Sequence, residues 1–171
     1  MLYTSELTAR LLVQRFPDLS SRVVAVELME KTWIKNPGGE GFSVFFFDAN
    51  HCPGSVMILI YKQNETILHT GDVRFTRKFL TNYEEIFPVS KRNAHNSGCA
   101  IPVDKMILDN TFCDPKYDFH TKEDCFRKIL GLIRANQCCR TYMFVYRIGK
   151  EELLINLAQN LQTKVRAPAN R

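Results

Sequence analysis

The chain has 171 residues, of which 45% are apolar and 24% charged, and its 23 basic and 18 acidic side chains give a formal net charge of +5. This composition supplies the core of one domain, or of a large piece of one, and excludes intrinsic disorder over most of the length. A charge of +5 is compatible with a polyanionic partner but is also common in proteins that have none.

Two further classes of protein are not expected from local sequence patterns. The longest uninterrupted apolar run that we find, residues 56–61, is far shorter than the ~20 residues of a membrane span, so we expect no transmembrane helix and no membrane partner. The opening MLYTSELTAR is polar where a signal peptide would be apolar. Six cysteines without CxxC spacing, in a chain with no export signal, predict reduced thiols.

The first half of the sequence predicts one helix followed by four strands. Thr4 or Ser5 can cap a helix that ends before Pro17, because proline disfavours helical geometry in the residue before it. From Val23 onward, short β-rich runs alternate with turn residues. The predicted strands are VVAVEL, FSVFFFD, SVMILIY and TILHT. Two of these runs are apolar nearly throughout, which predicts a sheet covered on both faces by helices.

The second half predicts a loop and then strands that alternate with helices. Residues 81–102 are polar and irregular, which predicts a long surface loop. The segments KMILD and TYMFVY are predicted strands, and QTKVRAPANR begins like one. Thr121 with Asp124 opens one predicted helix, and Gly149 precedes another over EELLINLAQNL. A meander followed by alternation predicts a layered α/β or α+β fold and not a bundle or an all-β barrel.

Three predicted strands end in side chains that carry chemistry. His51 comes just before the sharp turn Pro53-Gly54, Asp72 follows a glycine after TILHT, and Asp109 ends KMILD. Strand ends hold side chains rigidly while the loops beyond them admit a ligand. Imidazole and carboxylate groups together suit a hydrolytic zinc site. The alternative, which the spacing alone favours, is that these are ordinary hydrogen-bonded turn residues.

Two basic residues are candidate contacts for a phosphate. Lys150 lies in a strand-to-helix turn where free backbone N–H groups and a lysine could hold an anion, and Arg74 belongs to a short basic cluster after Asp72. The alternatives are a simple helix start and solvated surface. We expect His69 to form hydrogen bonds and not to bind metal. Phe45–Phe47 are expected in the core, not as a base-stacking platform.

The strings DANHCPGSVM, HTGDVR, LDNTFCDP and IGKEELL, in this order, resemble consecutive motifs of the metallo-β-lactamase nucleases of DNA cross-link repair, the Apollo and Artemis family. The resemblance extends from about the first predicted helix to about Val165 and looks most like the Apollo type. It implies a partial metallo-β-lactamase αββα sandwich. It also implies a nuclear 5′→3′ exonuclease that acts on single-stranded DNA or 5′ ends in interstrand cross-link repair and telomere end processing.

The resemblance also implies roles for three residues. His51 matches a histidine that ligates one metal, Asp72 matches an aspartate that bridges or lies between two metal positions, and Asp109 matches an acidic residue with a catalytic role. In such enzymes zinc, as two ions in the full-length family, lowers the pKa of a bound water so that hydroxide attacks a phosphodiester. Telomere or repair proteins would bind through regions that this chain lacks.

The chain departs from the family at its principal metal motif, HxHxDH. Its four histidines, at positions 51, 69, 95 and 120, contain no HxH. We therefore expect a central fragment, a truncated isoform or an incomplete gene model that binds zinc at most weakly and is inactive or nearly so. One alternative is a non-catalytic product that binds DNA or a partner weakly, or folds poorly. Another is a different metallo-β-lactamase hydrolase, such as a thioesterase or an RNA-processing nuclease, although Cys52-Pro53 favours the DNA branch.

Overall fold

The structure is a computed structural model that describes residues 1–83, 101–146 and 148–167. The chain divides into two compact units, Met1–Asp109 and Asn110–Arg171. Helices and mixed strands give it an α+β class, as predicted, which is consistent with a partial metallo-β-lactamase fold. Most of the predicted loop at 81–102 lies outside the described residues, which exclude 84–100.

The first unit contains a five-stranded sheet and a two-stranded sheet. Its strands are β1 (Leu2–Ser5), β2 (Val23–Val26), β3 (Lys31–Ile34), β4 (Phe42–Asp48), β5 (Val56–Lys62), β6 (Glu65–His69) and β7 (Lys105–Ile107), and its helices are α1 (Glu6–Arg15) and α2 (Arg77–Thr81). The larger sheet has the order β3-β4-β5-β6-β7, antiparallel except for the parallel pair β6–β7. The chain therefore leaves β4, β6 and β7 at the same edge of this sheet.

The predicted strands of the larger sheet are confirmed, and two strands were missed. VVAVEL forms β2, but β2 pairs in parallel with β1 instead of joining the meander. The missed strand β1 ends at Ser5, which is also the N-cap of α1, and the sequence interpretation used Thr4 and Ser5 only as cap candidates. The other missed strand, β3, has only four residues, too few for an alternating pattern to stand out from the turn that follows.

The larger sheet buries side chains on both faces because successive side chains of β4 point to opposite sides. Phe46, 2% exposed, packs in a cluster with Val26 of β2. Phe47, also 2% exposed, packs in another cluster with Met57 and with Phe79 of α2. The expectation that these phenylalanines are core residues is confirmed. The expectation of helices on both faces is corrected, because the β1–β2 sheet contributes the cover on one face.

The second unit contains α3 (Lys122–Ala135) and α4 (Glu151–Asn160), both as predicted. TYMFVY and the segment after Gln162 were wrongly predicted to be strands, since 141–146 and 163–167 have no strand conformation. The side chains of Tyr142, Phe144 and Tyr146 are 76%, 96% and 87% exposed. A β-prone run forms a strand only when a neighbouring strand accepts its hydrogen bonds, and the described part of this unit holds no such neighbour.

Two general features complete the fold. Among the residues that the structure describes, no helix has both the length and the apolarity needed to cross a bilayer. The described cysteines, Cys52, Cys113, Cys125, Cys138 and Cys139, are free thiols, and the predicted thiol at position 99 lies outside the described residues.

The start of α3 predicts a measurable pKa shift. The Thr121 hydroxyl donates to the Asp124 carboxylate at 2.7 Å, and this bond, followed by one from Arg127, holds the pKa of Asp124 below its usual value. The ionised Asp124 carboxylate therefore stabilises the folded chain above pH about 4, and this contribution is lost as the pH falls through the lowered pKa. In an NMR titration we expect the Asp124 carboxyl to titrate below about 3.9, and closer to that value in Thr121→Val. Equal midpoints in the two proteins would contradict this assignment.

Candidate functional site

The chain leaves β4 through a tight turn that presents His51. Asp48 Oδ1 accepts the backbone N–H of Asn50 at 2.6 Å, and Asn50 adopts a φ of 54°, a conformation that asparagine tolerates better than most residues. The backbone N–H of Ala49 donates to the Ser55 carbonyl at 3.1 Å. These bonds fix the path of the loop on both sides of His51.

The N-terminus of α1 supports the far side of the same loop. Ser5, the N-cap of α1, and Thr8 both donate their hydroxyls to the Gly54 carbonyl, at 2.7 and 3.1 Å. Gly54 has a φ of 85°, and a Cβ at this position would lie 2.5 Å from Thr8 Oγ1. Both the backbone conformation and the close approach of α1 therefore require glycine here.

Replacing Gly54 by alanine should lower the free energy of unfolding by about 1–3 kcal/mol, because the added Cβ is strained at positive φ and displaces Thr8. Urea unfolding measures the change. Gly38→Ala is the matched control, since a Cβ at Gly38 meets nothing within 4 Å. Equal effects of the two substitutions would show that the α1 contact does not constrain this loop.

Buried Thr70 joins the ends of β6 and β7. Its backbone N–H donates to the Ile107 carbonyl at 3.0 Å. Its hydroxyl donates to the Gly71 carbonyl and accepts the backbone N–H of Asp109, each at 3.0 Å. The segment that leads to Asp72 and Asp109, two residues after β7, are thus both bonded to the Thr70 side chain.

Gly71 forms the bend between β6 and Asp72. Its φ is 54°, and a Cβ at this position would lie 3.0 Å from the Val56 carbonyl. Its backbone N–H donates to His69 Nδ1 at 3.0 Å, which agrees with the expectation that His69 serves in hydrogen bonding. The bend turns the chain towards the loop that follows β4.

The loops after β4 and β6 are bonded to each other, and this contact brings the two predicted metal ligands together. The backbone N–H of Arg74 donates to the Ala49 carbonyl at 3.0 Å, and Asn50 Nδ2 donates to the Arg74 carbonyl at 2.9 Å. His51 Nε2 lies 3.9 Å from Asp72 Oδ2. Their side chains are 50% and 79% exposed, so solvent and ligands can reach both.

Two donors are fewer than a zinc site requires. Zinc in proteins takes three or four protein ligands, and within 1–83, 101–146 and 148–167 no group of three or more His, Cys, Asp and Glu residues could hold a metal ion. His51 and Asp72 therefore do not fit a complete zinc site by themselves. Their predicted role as metal ligands stays a prediction.

The other predicted site residues have different surroundings. Asp109 is exposed and held beside Thr70 through its backbone, and half-buried Arg74 contributes its peptide groups to the contact between the loops. Lys150, in the second unit, is the N-cap of α4 with a φ of 73°. The Gly149 N–H before it donates to the Glu151 carboxylate at 3.0 Å, which a phosphate would have to displace. The roles predicted for these residues are not tested by this geometry.

The sequence interpretation missed the residues that position His51 and Asp72. Asn50 follows Asp48 by two positions, a spacing typical of turns in which an aspartate accepts a backbone N–H, so this turn could have been found. Thr70 gave no such signal, because its bond to Asp109 spans 39 residues. The contact of Ser5 and Thr8 with Gly54 is equally remote in sequence.

Comparison with known proteins agrees with the resemblance seen in the motifs. No protein-family profile matches the chain. It is 37% identical over 164 residues to 5′ exonuclease Apollo of Gallus gallus, 34% over 166 residues to that of Rattus norvegicus, and 32% over 177 residues to protein artemis of Gallus gallus. Each alignment covers 96% of this chain but only 32%, 28% and 24% of the relative. Over the segment that it covers, the chain therefore belongs to the family of Apollo and Artemis, the metallo-β-lactamase-fold nucleases.

Proposed function

We propose that this chain carries part of the active site of a metal-dependent 5′→3′ DNA exonuclease. His51 and Asp72 are the proposed metal-facing donors. The proposed catalytic carboxylate is that of Asp109, whose backbone N–H is bonded to Thr70 after β6. The observation that carries the proposal is the 3.9 Å approach of His51 Nε2 to Asp72 Oδ2, between two loops that are bonded to each other. The Apollo relatives, named as 5′ exonucleases, supply the reaction class.

A purely stabilising ion pair explains the arrangement less well. Exposed pairs contribute about 0–1 kcal/mol, whereas the loop that presents His51 holds a non-glycine residue, Asn50, in the left-handed region. Residues in such conformations concentrate at functional sites. The exposure of both side chains also leaves room for further ligands. This combination supports a binding role.

We further propose that the chain alone does not hydrolyse DNA, since the described residues offer two donors where hydrolytic zinc sites use three or more. The test incubates purified chain and zinc with 5′-phosphorylated single-stranded DNA. We expect no more digestion than with Asp72→Asn. If the chain digests the DNA and Asp72→Asn does not, the chain is a complete nuclease and the proposed inactivity is wrong. The same assay is run with single-stranded RNA, and digestion of RNA but not of DNA would favour the RNA-processing alternative.

A segment exchange tests the nuclease assignment itself. The 164 aligned residues of Gallus gallus Apollo are replaced by those of this chain, and the folded chimera is assayed on the same DNA. We expect 5′ exonuclease activity that falls to background in Asp72→Asn and persists in the control Asp18→Asn, an exposed carboxylate elsewhere. A folded chimera without activity, or one that keeps its activity in Asp72→Asn, would contradict the assignment.

The proposal also assigns a cellular role. A 5′ DNA exonuclease of this family would act in interstrand cross-link repair and in processing chromosome ends, which places it in the nucleus. Fluorescence imaging of the tagged chain tests the location, and an exclusively extranuclear signal would overturn it.

A further inference from the structure

Three exposed aromatic rings form one cluster in the second unit. Phe112, Tyr117 and Phe119 are 57%, 43% and 61% exposed. Phe112 lies edge-on to the other two rings, at centroid distances of 5.2 and 5.1 Å, while Tyr117 and Phe119 are parallel to within 1° at 6.2 Å. Core formation does not explain aromatic rings that contact each other and still expose this much surface to water.

The cluster stands on a hydrogen-bonded segment. The backbone N–H of Cys113 donates to the Asn110 carbonyl at 3.2 Å, and that of Tyr117 donates to the Asp114 carbonyl at 3.0 Å. Asp114 Oδ1 also accepts the backbone N–H of Lys116 at 3.0 Å. Two successive turns therefore constrain the backbone that carries Phe112 and Tyr117 before any ligand arrives, which reduces the entropy lost on binding.

The net positive charge of the chain comes from the same unit. Residues 110–171 contain 11 basic and 6 acidic side chains, whereas residues 1–109 contain 12 of each. At the cluster, Lys116 Nζ lies 5.0 Å from the centre of the Tyr117 ring and 3.0 Å from Asp114 Oδ2, with which it forms a salt bridge. Lys128 Nζ lies 2.7 Å from His120 Nε2, a neighbour that carries no negative charge. This unit is therefore suited to a polyanion.

We propose that Phe112, Tyr117 and Phe119 form a binding surface for single-stranded nucleic acid. Bases stack on the exposed ring faces, and the basic side chains of the unit attract the phosphates. A protein partner would use the rings only as apolar surface, whereas base stacking requires an aromatic face. Replacing a ring by an aliphatic side chain therefore distinguishes a nucleic acid from a protein partner. The inference rests on the proposed nuclease function only in taking DNA as the nucleic acid.

The test measures the fluorescence anisotropy of a labelled single-stranded 12-mer of thymidylate with the full chain at low salt and with EDTA present. Phe119→Leu removes the ring but keeps an apolar side chain, and we expect it to weaken binding by roughly 5- to 150-fold. Phe119→Tyr keeps the ring and should bind within about twofold of the original chain. Phe144→Leu, at a 96% exposed residue outside the cluster, is the matched control.

Three results would overturn the inference: no binding by the unchanged chain, equal loss in Phe119→Leu and Phe119→Tyr, or equal loss in Phe144→Leu. Far-UV circular dichroism verifies that α3 and α4 persist in each variant, and Phe112→Leu repeats the test at a second ring. Because EDTA excludes metal-dependent hydrolysis, failure of the nuclease assays would leave the binding result intact. Failure of binding would likewise leave the nuclease proposal standing.

Discussion

Replacing Phe47 by alanine should lower the free energy of unfolding by about 3–5 kcal/mol. Phe47 is 2% exposed and packs with Met57, Leu59 and Leu68, which are fully buried on the same face of the sheet. Its ring also meets that of Tyr83 edge-on at a centroid distance of 5.4 Å. Truncation therefore removes apolar contacts and leaves a cavity beneath strands that cannot close it. The urea dependence of far-UV circular dichroism measures the loss.

The matched control is Phe144→Ala, the same truncation at a 96% exposed ring. We expect this change to fall within about 0.5 kcal/mol of zero, because surface substitutions rarely do more. A loss below about 1 kcal/mol in Phe47→Ala would mean that this face of the sheet is not packed as described. A comparable loss in Phe144→Ala would mean that residue 144 is covered in solution.

The second large effect concerns zinc. Competition with a chromophoric chelator measures the zinc affinity, and we expect the dissociation constant at His51 and Asp72 to exceed about 1 μM. Structural zinc sites have binding free energies of about 10–16 kcal/mol, so they bind up to about a million times more tightly. The reason is the ligand count, since two donors leave half of a four-coordinate zinc ion's ligand positions to water.

His51→Ala identifies any zinc bound at this pair, and His120→Ala, at the exposed histidine beside Lys128, controls for zinc bound elsewhere. We expect His51→Ala to remove a weak binding phase that His120→Ala leaves in place. A sub-micromolar site that disappears in His51→Ala would contradict the account, since it would require a third ligand close to the pair.

The strands β4, β5, β6 and β7 and the helices α1, α3 and α4 were predictable because their signals are local, whereas β3 and the five-residue helix α2 were missed. The phenylalanine run of β4 is apolar at successive positions, and the Thr121–Asp124 cap lies within one helical turn. The approach of His51 to Asp72 was predictable in outline, since β4 and β6 end at the same edge of the sheet. The bonds that hold the pair were not, because Asn50 and Arg74 are 24 positions apart and nothing in either residue indicates the other.

The wrong prediction of a strand at TYMFVY and the missed strand β3 have one physical cause. The period of a short apolar run shows that a strand is possible, but strand pairing decides whether it forms. TYMFVY has the side chains of a strand and no neighbouring strand within the described part of its unit. Lys31–Ile34 has a weaker pattern but pairs with β4, which makes it a strand. Caps act within a single turn, so the longer helices α1, α3 and α4 were predicted more reliably.

The central claim is that His51 and Asp72 face one another across two joined loops, and paramagnetic NMR tests it most directly. Co²⁺ at millimolar concentration should broaden the amide signals around both residues together and leave that of Gln63, at the opposite end of β5, much less affected. Asp72→Asn should weaken both effects in parallel. Broadening around His51 alone, unchanged by Asp72→Asn, would place the two side chains apart and contradict the account.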